Sequence, residues 1–460
     1  MSEKNFINLP EDVKYAIMLK WIDENVVKRI SLENNEPEWM LEHRLNSLKI
    51  FNETKVPSWG PDISDLNFDE VMFFAKPEAM EKYAKDWEDV DPKIKEKFER
   101  LWIPEAERKY LAWAWWQYDS SMVYHKIKEK WSDKWIIFED MNEALHKHED
   151  LVKQYFMKLV PPNDHKFAAL HGAVWSGGTF IYVPKWVKLN EPLQAYFRMN
   201  TANWGQFEHT LIIVEDDAQC DYIEWCSAPK FDSRALHAGC VEIFVWKNSH
   251  MRYSSVENWS LDTYNLNTKR SVLQENAYIE WIWWNLWSGK TMLYPMSILK
   301  WNNSKADHLW VAFASESQVQ DTWAKVLHIW KNTSSNIVSK WISKWGWINN
   351  YRWMVKILPS AKWAVNKTEC DAILIDDKSV SNTIPNIECL NADSIVAHEA
   401  SSWKIDENSL FYLMWKWIDE EKAAWMLVNW FVSDIVKKLP LEYAWEMNKL
   451  IEMEMEWSIW

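Results

Sequence analysis

The sequence predicts a mainly β protein: a β-helix core over residues 161–402, a mostly helical amino-terminal region over 1–160, and a helical carboxy-terminal domain over 403–460. Three observations carry that prediction. From Phe167 to about Ser402 the chain is rich in Val, Ile, Thr and Tyr with alternating polarity, the pattern of many short strands. Clusters of turn residues begin near Asp216, Trp246, Gln274, Trp301, Trp330 and Pro359, at intervals of 30, 28, 27, 29 and 29 residues, and a fixed period in that range marks stacked coils. On either side of this block the apolar residues recur at three- and four-residue intervals instead.

In the amino-terminal region, EDVKYAIMLKWIDENVVKRI and EPEWMLEHRLNSLKIF each carry one apolar stripe and read as helices, with SLENNEPEW as punctuation between them. VPSWGPDISDLNFDEVMFFAKP reads as irregular. PKIKEKFERLWIPEAERKYLAWAWWQYDSSMVYHKIKEKW and DMNEALHKHEDLVKQYFMKLV read as further helices. The period changes at Pro161-Pro162-Asn163-Asp164, where the strands begin. The last turn clusters, near Asp376 and Asn391, stand closer together than the rest. Beyond Ser402 the helical period returns in ENSLFYLMWKWIDEEKAAWMLVNWFVSDIVKKL and PLEYAWEMNKLIEMEME. The first of these has more apolar residues than one stripe needs, so it is expected to close the solenoid and still offer a face to another protein.

Composition narrows the function classes. The net charge of −15, with no basic block, argues against nucleic acid. No run of eighteen apolar residues exists to span a membrane, and MSEKNFINLPEDV lacks the pattern of a secretory leader. Five cysteines, an odd number in so long a chain, fit a reducing cytoplasm rather than a disulfide framework.

One count is abnormal. The chain has 8 glycines and 37 tryptophans, where average usage would give roughly 32 glycines. Tryptophan also opens turn clusters, in WKNS at 246, WNNS at 301 and WKNT at 330, where a residue tolerant of positive φ is needed. The expectation is that most of these tryptophans are glycines of the native protein, encoded by UGA. The competing reading is a tryptophan-rich binding surface.

Several side chains stand out. Cys370 lies on the alternating strand TECDAILID, and VAHEA supplies His398 and Glu399 one coil later. Strand alternation sends His398 and Glu399 to opposite faces, so at most one of them shares the face of Cys370. A thiolate with a carboxylate and an imidazole is a metal or sulfur site, but it cannot fill the four-thiolate shell of a permanent iron–sulfur cluster. A transient site completed by a second subunit follows. Cys226, in DYIEWCSAP, sits where a strand breaks, and a glycine at 225 would let the chain turn and expose the sulfur as an acceptor. Arg198 and Asn200 lie two apart, and Lys269 joins them from a later coil as a possible polar path. Trp259 reads as a genuine tryptophan, and Cys220, Cys240 and Cys389 as filler. Residues 284–291, read with glycine at 284, fit a phosphate-binding loop, but the strand-like TMLYPMSILKW that follows Lys290 cannot supply the helix such a loop needs.

NEPEWMLEHRL, GAVWSGGTFIYVPK, LQAYFRMNTANWGQFEHTLIIVE, YIEWCSAP, ECDAILIDDKS and HEASSWKI resemble segments of the SufB/SufD family of the SUF iron–sulfur assembly system, on its SufB side. Trp225, Trp341, Trp353 and Trp430 stand at family glycines, whereas Trp39 and Trp175 match family tryptophans. The resemblance implies a right-handed parallel β-helix and a non-enzymatic scaffold on which a transient iron–sulfur cluster forms. It implies as partners a SufD-like paralogue or a second copy, a SufC-type ABC ATPase on the carboxy-terminal helices, and a cysteine desulfurase or its sulfur carrier. It leaves flavin involvement open. It makes Cys370 the cluster-assembly cysteine with Glu399 as nearby carboxylate, makes Cys226 the sulfur acceptor, and puts Arg198, Asn200, Trp259 and Lys269 on a sulfur path. Two departures are Ala397, where some relatives have a carboxylate, and Glu257, where some have glutamine. The other readings are a SufD-like structural subunit and a β-helix enzyme acting on polysaccharide, whose clustered carboxylates and secretion signal are not found.

Overall fold

The computed structural model describes residues 15–77, 113–118, 121–127, 134–199, 205–228, 234–314, 318–344, 346, 348–405, 407–438, 444, 448 and 451. Two long sheets run the length of the molecule. One has ten strands, and its order from Trp113–Tyr118 through Leu193–Arg198, Gln219–Ser227, His250–Asn258, Tyr278–Trp287, Lys305–Ala314, Ser334–Ser343 and Val365–Leu374 to Ile395–Lys404 follows the chain. These neighbours pair in parallel, each one coil after the last. The opposing sheet winds in the same sense, so the core is the parallel solenoid that the turn period predicts. Its interior holds alternate side chains of both sheets, among them Phe197, Ile212, Ile243, Met251, Ile279 and Val326.

The turns stack through their amides. Asn248 Nδ2 donates to Asp217 Oδ1 at 3.0 Å, Asn276 to Asn248 at 2.8 Å, and Asn303 to Asn276 at 2.9 Å. Asp217, Asn248, Asn276, Asn303 and Asn332 all take φ between 55° and 58°, a conformation that Asp and Asn tolerate. The positive φ expected of Trp246, Trp301 and Trp330 therefore falls on the asparagine two residues further on. Five other tryptophans do occupy the left-handed region: Trp21, Trp135, Trp186, Trp363 and Trp417, with φ from 57° to 66°. A bulky side chain is disfavoured there and glycine is the ordinary occupant.

The amino-terminal region is less helical than its spacing predicts. Tyr15–Lys20 is a strand paired with Met72–Pro77, and the helix begins only at Glu24, behind the cap Asp23. Trp113–Tyr118 and Ser121–Ile127 form strands rather than helix, and the first of them pairs with Leu193–Arg198. WAWWQY and SMVYHKI are aromatic and β-branched, and their apolar residues fit a period of two as well as one of three or four. The helices expected around PKIKEKFER and through most of PLEYAWEMNKLIEMEME lie outside the described residues. The helix Glu420–Val436 does not close the solenoid. Its Val428, Phe431, Val432 and Ile435 lie on the outer face of the ten-stranded sheet, against Ile223, Val256, Ile282 and Val311.

Candidate functional site

Strand alternation turns Tyr222, Glu224 and Cys226 inward from Gln219–Ser227, and Tyr253, Ser255 and Glu257 inward from His250–Asn258. Lys269 enters from the opposite sheet. Its ammonium lies 2.7 Å from Glu224 Oε1, 3.2 Å from Glu257 Oε1 and 3.3 Å from both Ser255 Oγ and Tyr253 OH. Burial alone would lower the lysine and raise the carboxyls. The two carboxylates instead carry Lys269 above its usual range, while Lys269 and His237 hold Glu257 below its own. The charge that Glu257 introduces on the interior is thus compensated on the spot.

Cys226 sits in this chamber with no exposure at all, so the exposed acceptor expected at the strand end is not what the fold provides. The strand continues through Ser227, which pairs with Asn258 and Arg198, and the chain leaves the wall only afterwards. One ligand atom each of Cys226, Glu208 and His237 lie within 4.8 Å of one another. His237 hydrogen-bonds Glu208 through Nε2 and Asn265 through Nδ1, and its ring centroid stands 4.2 Å from that of Trp259. Burial pushes the Cys226 thiol well up, and Glu224 adds to the shift. Both His237 nitrogens donate to oxygen acceptors, whereas Glu208 Oε2 makes no hydrogen bond and is the free acceptor beside the Cys226 thiol.

Cys370 also faces the interior, 3% exposed, with its thiol raised by burial to about 12. Its strand pairs with the Glu399 strand, as the coil spacing predicts, but the register is decisive: Glu369 lies opposite Glu399, Cys370 opposite Ala400, and Thr368 opposite His398. Parallel partners share a face, so His398 takes the face of Cys370 and Glu399 the other. Within this chain Cys370 and Glu399 therefore lie on opposite faces of the strand pair, while His398 shares the face of Cys370 one diagonal step away. The His398 ring stands 4.7 Å from that of Trp353.

Arg198 holds the register position opposite Ser227, one residue along from the inward Phe197, and Asn200 lies outside the described residues. Gly289 and Lys290 lead into the strand Lys290–Leu293, with no helix behind them, and Lys290 pairs with Asp65 at 2.8 Å. The phosphate-loop pattern is therefore a coincidence of sequence.

The family description "SUF system FeS cluster assembly, SufBD core domain" matches residues 197–431, and "SufBD protein N-terminal region" matches residues 118–195. Iron–sulfur cluster assembly SufBD family proteins of Staphylococcus aureus (strains MRSA252 and USA300) and Staphylococcus haemolyticus (strain JCSC1435) are each 48% identical over 449 residues. Those residues cover 98% of this chain and 96% of each relative. The chain belongs to the SufBD family.

In this SufBD chain Cys226 and Cys370 share one wall, and Cys220 also faces inward, at the start of the Cys226 strand. From Cys226 the ladder passes through Glu257, Asn285, Ala312 and Trp341 to Ala372, two residues from Cys370. Five inter-strand steps amount to about 24 Å, too far for one sulfur to touch the other. Stacked rings of Trp283, Trp310 and Trp341 fill the space between, with centroids 5.5 and 6.4 Å apart. Lys269 and Trp259 were visible in the sequence. Glu208, Glu224 and His237 were not, because only stacking brings residues from separate coils together.

Among the described residues the last coil of this SufBD chain is open. No strand follows Ile395–Lys404 or Val380–Cys389 in either sheet among the described residues. Ile387, Leu390 and Ile395 there are 46%, 50% and 63% exposed, a concentration of apolar surface beside unpaired edges.

Proposed function

We propose that this chain is the scaffold subunit on which an iron–sulfur cluster is assembled, taking sulfur at Cys226 and holding the nascent cluster at Cys370. The observation that carries the reading is the placement of both cysteines on the inner face of one wall, Cys226 in a charged chamber and Cys370 one strand from the open end. A second β-helix subunit, paralogue or copy, stacks on that end and supplies the ligands that this chain lacks. His398 is the ligand of this chain that shares the face of Cys370. Glu399, on the other face, contributes only if the terminal strand shifts on pairing.

Sulfur arrives as a persulfide on a desulfurase or carrier. The chamber, closed around Cys226 at rest, opens to the donor; the Cys226 thiol, once its proton passes to Glu208 Oε2, attacks the outer sulfur, the S–S bond of the donor breaks, a persulfide forms on Cys226, and the donor leaves as thiolate, with no net redox change. About 24 Å is long for direct thiol–persulfide exchange, so a low-molecular-weight thiol carries the sulfur through the interior: its thiolate takes the outer sulfur of the Cys226 persulfide and frees the Cys226 thiolate, and the Cys370 thiolate then takes that sulfur and frees the carrier thiolate. Glycines at 283, 310 and 341 would open that route. Partner ATPase subunits dock on the carboxy-terminal helices, where Phe411, Tyr412, Trp415 and Trp430 are exposed, and ATP hydrolysis moves the open end.

Replacing Cys370 by Ser in the reconstituted complex tests the assignment. Cluster formation is expected to be lost while the complex still assembles. Unchanged cluster yield would instead support the SufD-like reading, in which the chain is a structural partner.

A further inference from the structure

Glu208 and His209 fall on opposite sides of one wall. Glu208 joins the interior chamber, and His209 points outward beneath the helix Lys166–Val174. There it meets His171 of that helix and Cys240, its own register partner on the next strand. One ligand atom each of His171, His209 and Cys240 lie within 4.8 Å of one another, and none of the three residues is more than 1% exposed.

The ring nitrogens are arranged as in a metal site. His171 Nδ1 lies 3.0 Å from the Ala238 carbonyl oxygen, which only accepts, so that nitrogen carries the proton and Nε2 presents a lone pair. His171 Nε2 accepts from His209 Nδ1 at 3.0 Å, which puts the proton of the second ring on Nδ1. On the far side of the second ring, His209 Nε2 lies 3.3 Å from Glu242 Oε2 and makes no hydrogen bond, a fully buried nitrogen left over. Glu242 is fixed by the backbone N–H groups of Met157, Leu159 and Val160, at 2.5, 2.5 and 2.9 Å. When an ion binds, the His209 proton moves from Nδ1 to Nε2, where the Glu242 carboxylate 3.3 Å away accepts it, and two lone pairs and a sulfur then converge on one point. Histidine ligands are characteristically oriented in this way, one by a carboxylate and another by a backbone carbonyl.

We propose that His171, His209 and Cys240 bind a divalent transition-metal ion of the zinc class, with Ala238 and Glu242 as the outer partners that orient the rings. Metal–nitrogen distances of about 2.0–2.1 Å and metal–sulfur of about 2.3 Å require the two rings to separate by only a few tenths of an ångström. Binding replaces the Cys240 S–H bond by a sulfur–metal bond and releases one proton. The ion fastens the helix Lys166–Val174 to the outside of the wall whose inside forms the Cys226 chamber.

The test uses the full-length chain, freed of metal and titrated with Co²⁺. One equivalent is expected to bind with a thiolate-to-cobalt charge-transfer band, to be displaced by Zn²⁺, and to raise Tm. Cys240→Ser is expected to lose the band, and His171→Asn to weaken binding about tenfold or more, each with an unchanged circular dichroism spectrum. Cys226→Ser keeps the band. Absence of the band from the unsubstituted protein, its survival in Cys240→Ser, or its loss in Cys226→Ser overturns the proposal; if Cys240→Ser does not fold, His171→Asn and Cys226→Ser decide it.

Discussion

Lys269 Nζ lies 2.7 Å from Glu224 Oε1 inside the solenoid, with both side chains 2% exposed. Glu257 completes the cluster at 3.2 Å. Removing the cation leaves Glu224 buried without its charge partner and Glu257 with only His237 and Asn265 beside it, a loss of about 3–5 kcal/mol. Lys269→Met is therefore expected to lower the stability measured by denaturant unfolding by that order. Lys269→Met/Glu224→Gln/Glu257→Gln should recover most of the loss.

Buried histidines set an acid limit, His328 and His308 among them. His328 is held by Thr333 and Ser335 at 2.8 and 2.9 Å, and burial lowers it to about 4; burial lowers His308 to about 3. The unfolded chain takes up these protons near pH 6.5, the folded chain only well below it. Their contribution to stability is complete above about pH 6.5 and fades as pH falls toward 4, by on the order of 3 kcal/mol for His328. Unfolding free energies measured between pH 7 and 4 should show this slope, and His328→Gln should reduce it.

The left-handed tryptophans predict their own replacement. Trp363, at φ 57° and 56% exposed, lies in a solenoid turn where asparagine serves on earlier coils. Trp363→Gly is expected to stabilise the chain by about 1 kcal/mol and Trp363→Ala to give no comparable gain. Mass spectrometry of the native protein should find glycine at 21, 186, 363 and 417; tryptophan there would end the UGA reading.

The register at the open end ranks three side chains. Cluster yield in the reconstituted complex is expected to vanish in Cys370→Ser, to fall severalfold in His398→Ala and to change little in Glu399→Gln. A larger loss from Glu399→Gln than from His398→Ala would show that the terminal strand shifts on pairing.

Much of this was legible in the chain. The turn spacing gave the solenoid, and strand alternation already required His398 and Glu399 to part; only the pairing register could tell which of them joins Cys370. The burial of Cys226 was hidden because Ser-Ala-Pro after it resembles an exposed strand end, whereas Ser227 still pairs on both sides. Glu208, His237, His171 and Cys240 lie on separate coils or on a helix, and no local pattern joins them. Trp113–Tyr118 was obscured because alternating aromatics also satisfy a helical spacing.

Tracing labelled sulfur tests the central claim most directly. Radiolabelled persulfide supplied to the assembled complex is expected to reach a cluster in the unsubstituted chain, to stop as persulfide on Cys226 in Cys370→Ser, and not to enter in Cys226→Ser. Label arriving at Cys370 in the Cys226→Ser complex would contradict an interior route between the two cysteines.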